Sequence, residues 1–170
     1  MIIVMYSLTF PQRGIWLSEQ LCPETTFATI ACLVQINLKV NLDLLEEAIN
    51  ELIKYNDNFR FKFLEENSEG CQYVSEYVKF SIKRVNLSNR DNKFIENYIR
   101  ELTDTTFELI NKDLFYFELF DFGNETFGYY FKYHHLVGDA YSCISATNFI
   151  MNAYNQLEQG KILNIPCDLS

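Results

Sequence analysis

The stretch Leu114-Phe115-Tyr116-Phe117-Glu118-Leu119-Phe120-Asp121-Phe122-Gly123-Asn124-Glu125-Thr126-Phe127-Gly128-Tyr129-Tyr130-Phe131-Lys132-Tyr133-His134-His135 is two aromatic-rich segments with a turn signal between them. Gly-Asn is a favoured hairpin dipeptide, so residues 114–122 and 125–133 are read as paired strands. The second strand runs straight into His134 and His135, the only histidines of the chain. Leu136, Val137, Gly138, Asp139, Ala140 and Ser142 complete the loop and open the next element.

Other elements can be placed outward from the hairpin. The even positions Ala28, Ile30, Cys32, Val34, Ile36 and Leu38 are apolar with period two, which predicts a long half-buried strand over residues 27–38. A helix follows, with Asp43 and Glu46 at capping-box spacing. Leu45, Ile49, Leu52 and Ile53 form its apolar face, and it ends near Asn56. Residues 59–64 read as a strand, Gly70 as the turn to another at 72–75, and 80–85 as a further short strand. Ser88 is expected to cap a helix whose buried stripe is Phe94, Ile95, Tyr98, Ile99 and Leu102. After Asp139 a helix carries Ile144, Thr147, Ile150, Met151, Tyr154 and Leu157, with Gly160 at its end. Residues 163–170 contain Pro166 and read as a connector. At the other end, residues 7–21 look like a turn entering a short helix, with Pro11 in its first turn and Trp16 as a core anchor. The order predicts an α+β fold, an α/β two-layer sandwich in which helices cover a mainly antiparallel or mixed sheet.

Length and composition bound the function. With 170 residues the chain fits one domain or one lobe of a larger one. At 48% hydrophobic and 16% aromatic, it is globular rather than disordered. A net charge of −9 argues against nucleic acid and against an anionic membrane surface, both of which need a basic footprint. Five cysteines with no C-x-x-C pair argue against a disulfide framework or a zinc site, and point to a reducing, cytoplasmic setting. The apolar start is short and reaches Pro11 quickly, so neither a signal peptide nor a membrane span is expected.

The histidine loop is the candidate site, because histidine titrates near neutral pH and can accept, donate or orient at cellular pH. In a strand, neighbours point to opposite faces, so one histidine should face the reaction and the other the packing. Adjacent histidines make a poor metal site and no third ligand has recognisable spacing, so no metal is expected. Asp139 either orients a histidine or pairs with a cation. Arg60, between Phe59 and Phe61, is the candidate for the second role, its alternative being simple exposure to solvent. Ser142 and Cys143 lie near the pair, but neither sits in a nucleophile elbow. Transfer assisted directly by one histidine is simpler than a covalent route.

His134-His135-Leu136-Val137-Gly138-Asp139-Ala140 resembles the HHxxxDG motif of the condensation domains of nonribosomal peptide synthetases, within the chloramphenicol acetyltransferase-like superfamily. Leu8-Thr9-Phe10-Pro11-Gln12-Arg13-Gly14-Ile15-Trp16 is similar to the opening motif of those domains. Asn56-Asp57-Asn58-Phe59-Arg60-Phe61-Lys62-Phe63 resembles their second motif, usually written RHExLRTxF. Arg60 and Phe63 match there, while Asn56 and Asp57 replace the usual His-Glu.

The resemblance implies that residues 1–170 are the N-terminal lobe of a two-lobed domain whose C-terminal lobe lies outside this chain. It implies a reaction in which the amine of an aminoacyl thioester attacks a donor acyl or peptidyl thioester to form an amide. Both substrates would ride on phosphopantetheine arms of carrier proteins, with adenylation domains as neighbours and no cofactor bound by the lobe itself. His135 would be catalytic. His134 would be structural, as would Asp139 paired with Arg60. Gly138, Ala140 and Ser142 would shape the loop. Ala140 departs from the motif's Gly; it keeps the backbone N–H but adds a Cβ that would resist a left-handed backbone. An epimerisation domain, a CoA-dependent acyltransferase and a non-catalytic carrier-docking lobe are the alternatives. A lobe by itself is expected to be inactive and to self-associate through apolar surface.

Overall fold

The computed structural model describes residues 4–23 and 25–163. Two sheets form. The first is three-stranded, ordered β1-β4-β3, from β1 (Tyr6–Ser7), β3 (Phe61–Glu66) and β4 (Glu69–Val74), all antiparallel. The second is four-stranded, ordered β2-β7-β6-β5, from β2 (Thr29–Ile36), β5 (Lys83–Asn86), β6 (Phe115–Gly123) and β7 (Thr126–His134). Its β2–β7 and β6–β7 pairs are antiparallel, and β5 joins β6 in parallel. Four helices accompany them: α1 (Phe10–Leu21), α2 (Leu42–Tyr55), α3 (Asn92–Asp104) and α4 (Ala140–Glu158). The expected α+β class with a mixed sheet covered by helices holds, although the strands divide between two sheets.

Alternation along the hairpin sorts its side chains between two cores. Phe115, Phe117 and Leu119 of β6, with Tyr129, Phe131 and Tyr133 of β7, enter the main core with Leu45, Ile49, Leu52 and Ile53 of α2 and Ile150 and Tyr154 of α4. Phe120 and Tyr130 face the other way, onto the partly buried stripe Ile95, Tyr98, Ile99 and Leu102 of α3. A buried carboxylate, Glu118, lies on that second face. It accepts hydrogen bonds from Lys83 Nζ (2.9 Å), Tyr98 Oη (2.8 Å) and Tyr116 Oη, which offsets the cost of its burial.

Several boundaries differ from the expectations for identifiable reasons. The cap of α2 is Asn41, whose side chain accepts from the N–H groups of Asp43 and Leu44; Asp43 is already inside the helix. The cap of α3 is Asp91 rather than Ser88, and Ser88 instead donates to Asn86 Oδ1. Gly70 lies within β4, and the turn before it is made by Asn67 and Ser68 in left-handed backbone. A Cβ at Gly70 would press on the Leu8 side chain and the Trp16 ring, so this glycine serves close packing. Phe94 and Ile144 are largely exposed, whereas Ala146, Phe149 and Ala153 fill the buried side of α4. Residues 57–60 form a 3-10 turn, which leaves Arg60 ahead of β3 rather than inside it. The proposed connector lies almost wholly outside the described residues, as does Cys167.

Candidate active site

His134 is the last residue of β7 and is buried, whereas His135 begins the loop and is exposed. The pair is therefore divided between packing and surface. His134 Nε2 lies 3.0 Å from Glu19 Oε1 of α1, and Phe107 meets the ring edge-to-face. His134 Nδ1 accepts the Leu136 N–H at 3.2 Å. A nitrogen that accepts carries no proton, so the neutral ring bears its hydrogen on Nε2 and donates it to Glu19. Burial pushes the His134 imidazole below its ordinary value of 6.5, with Glu19 pulling in the opposite direction.

The loop backbone is held at successive points. His135 N donates to Ala28 O (2.7 Å), Leu136 O accepts from Gln12 Nε2 (2.9 Å), and Val137 N donates to His134 O (3.0 Å). Asp139 O accepts from the Tyr133 hydroxyl (2.6 Å). A Cβ at Gly138 would come within 3.0 Å of both the Tyr133 ring and Ser142 Cβ, so the chain passes too close to both for any larger residue to fit unchanged. The His135 imidazole thus projects from a rigid backbone into solvent.

Asp139 is the N-cap of α4. Its carboxylate accepts from Ser142 N (2.9 Å) and Ser142 Oγ (2.9 Å), while Ser142 Oγ accepts from Asp139 N (3.1 Å). These Ser142 bonds stabilise the charged form and hold the carboxyl below its usual range. Ala140 is the first helical residue, in right-handed backbone, so its Cβ introduces no strain; its N–H has no intrahelical acceptor. The anticipated Asp139–Arg60 ion pair is not formed. Arg60 pairs with Asp57 three residues before it and donates to Ser75 O (3.3 Å), because the 3-10 turn folds its side chain back on its own segment.

Neither nearby nucleophile is poised for covalent chemistry. Ser142 Oγ is engaged in the cap. The Cys143 thiol is pushed up to about 12, first by burial and then by its contact with Cys32, so it stays protonated at neutral pH. Among the described residues, no group of three His, Cys, Asp or Glu side chains is arranged to hold a metal ion. No helix among them is long and apolar enough to cross a membrane.

Sequence reasoning missed Glu19, Gln72 and Tyr133. In the sequence, Gln12 is marked only as part of the stretch that resembles the opening motif; the structure shows that it also forms a capping box with Thr9 at the start of α1. Glu19 and Gln72 carried no local signal: they lie 115 residues from His134 and 60 residues from Gln12 along the chain.

The fold, a mixed sheet between helices with a histidine loop leading into α4, is that of condensation-domain structures. The starter condensation domain of the rhizomide synthetase RzmA superposes with a TM-score of 0.88 at 21% identity, over 96% of this chain and 40% of that one. The first condensation domain of the CDA synthetase does so with a TM-score of 0.88 at 18% identity, over 95% and 43%. The chain belongs to the condensation domain family, whose model matches residues 2–168. Among its relatives, surfactin synthase subunit 1 of Bacillus subtilis (strain 168) is 34% identical over 163 residues, and one of the plipastatin synthase subunits of the same strain is 32% identical over 155. The matches cover 93% and 91% of this chain but only 4% and 6% of those proteins.

Proposed function

We propose that this chain is the N-terminal lobe of a nonribosomal peptide synthetase condensation domain and that His135 is its catalytic residue. The observation that carries this reading is the contrast within the histidine pair: one ring is locked in the packing, and its neighbour projects from an immobilised loop. In the reaction, the acceptor amine's lone pair attacks the donor thioester carbonyl, and the C–N bond forms. The C–S bond then breaks, and the carrier's phosphopantetheine sulfur leaves as a thiol. The amine's surplus proton passes to His135 Nε2 or Nδ1 and from there to the leaving sulfur or solvent. The Ala140 N–H, at the positive end of α4, can meet the oxyanion. Carrier proteins bring both phosphopantetheine arms, and adenylation domains load them.

A second lobe completes the site. Phe10 (90% exposed) and Leu21 (82%) of α1, with Tyr141 (74%) of α4, offer it an apolar surface on the two helices that bracket the loop. The test uses a complete two-lobed domain containing this segment, a donor acyl carrier thioester and an acceptor aminoacyl carrier thioester, with the amide read by mass spectrometry. His135→Ala should lower turnover by about 100-fold or more. Unchanged turnover would remove the catalytic assignment. Residues 1–170 alone should make no amide.

A further inference from the structure

We infer that Gln12 and Gln72 are positioning residues for His135, forming an amide clamp on the backbone beside it; this rests on the catalytic role proposed for His135. The two side chains meet face to face. Gln12 Nε2 donates to Gln72 Oε1 at 2.9 Å, and Gln72 Nε2 donates to Gln12 Oε1 at 3.0 Å. The remaining hydrogen of Gln12 Nε2 goes to Leu136 O at 2.9 Å, and that of Gln72 Nε2 to Ser7 O at 3.4 Å. Thr9 supplies both its N–H (2.9 Å) and its hydroxyl (3.0 Å) to Gln12 Oε1.

This network admits only one polarity. Gln12 Oε1 faces donors from Thr9 and Gln72, and Gln12 Nε2 faces two acceptors. Turning the amide over would set N–H against N–H and leave the Leu136 carbonyl without its donor. Gln72 is 4% exposed in β4, and a buried amide is costly unless its groups are paired; here they are. The clamp ties β1, α1 and β4 to one carbonyl of the site loop.

The position of that carbonyl matters. His135 N is held by Ala28 O and Leu136 N by His134 Nδ1, which fixes the peptide planes on either side of His135. Gln12 holds the next plane through Leu136 O, together with the Val137 N–H bond to His134 O. With three consecutive planes pinned, the His135 Cα–Cβ direction is set by the fold and not by the substrate. Without Gln12, that third plane is held only by the Val137 N–H bond to His134 O, so Leu136 gains freedom and its N–H bond to His134 loosens.

Amide hydrogen exchange of the 170-residue chain, followed by NMR, tests the clamp without reference to catalysis. In the unmutated chain the Leu136 N–H should be protected like the amides of β6 and β7; exchange at open-loop rates would overturn the proposal. Gln12→Met keeps the length and removes the donor. It should speed Leu136 and Val137 exchange about tenfold or more while Tyr129 to Tyr133 stay unchanged, and in a complete domain it should lower kcat by a similar factor without raising KM for either thioester. Gln12→Glu, which cannot donate to Leu136 O, should behave in the same way. Gln72→Met should move both readouts less, and the double variant should match Gln12→Met, because Gln72 acts through Gln12. Unaltered loop exchange, unaltered kcat, or loss of protection throughout the hairpin in Gln12→Met would each overturn the positioning role. If His135→Ala kept full turnover while the exchange results stood, the failure would lie with the catalytic assignment and not with the clamp.

Discussion

At the scale of single residues, the candidate site sets two adjacent imidazoles in opposite surroundings. His134 is held neutral because burial opposes its charging more strongly than Glu19 favours it. A base whose folded pKa lies below its unfolded value binds fewer protons folded than unfolded. Its stabilising contribution is therefore complete above about pH 6.5 and declines as the pH falls below that value. Urea melts from about pH 8 to about pH 5 should show this decline, and His134→Gln should flatten it. Equal slopes for the two proteins would show that His134 is not the group responsible. Gly138 adds a second constraint at this scale: the loop passes so close to Tyr133 and Ser142 that side-chain volume, not backbone sign, sets the requirement.

At the scale of elements, α4 begins where it does because Asp139 and Ser142 satisfy each other across its first turn. Asp139→Ala removes both acceptor contacts. The first turn should fray, the melting temperature should fall, and Cys143 should react faster with a thiol reagent; an unchanged Cys143 rate would mean that the cap does not hold the turn. The hairpin offers a separate test on its other face. Glu118 receives three donors although it is fully buried. Glu118→Ala removes the acceptor of both the Tyr98 and Tyr116 hydroxyls, although Tyr98 keeps its bond from Lys83 Nζ, and should cost about 3 kcal/mol, measured by denaturant unfolding. A cost near zero would mean that the network merely offsets its own desolvation. The helices and the hairpin were legible beforehand, since period-two alternation and a turn dipeptide are local signals. Their exact caps were less so, because Asn41, Asp91 and their rejected neighbours are all competent cap residues. Backbone geometry chose between them.

At the scale of the molecule, large apolar side chains on α1 and the first turns of α4 remain uncovered: Phe10, Leu17, Leu21, Tyr141 and Ile144. Large apolar side chains left exposed on these two helices favour association, so the chain in isolation should self-associate or bind a hydrophobic dye. Light scattering across a concentration series checks this, and a sharp monomer with no dye binding would count against it. The alternating strands, the amphipathic α2, the aromatic hairpin and the histidine loop could all be read from the chain, because each is encoded by neighbours within a few residues. The division into two sheets, the parallel β5–β6 pair, the partner of His134 and the glutamine clamp could not. Each joins segments far apart in sequence, as Gln12 and Leu136 are at 124 residues. Arg60 shows the same limit in reverse: its residue type invited a distant carboxylate, but a local 3-10 turn supplied Asp57 first. Local pattern specifies which surfaces each element must bury. Which polar groups meet across those surfaces follows only once the elements have packed.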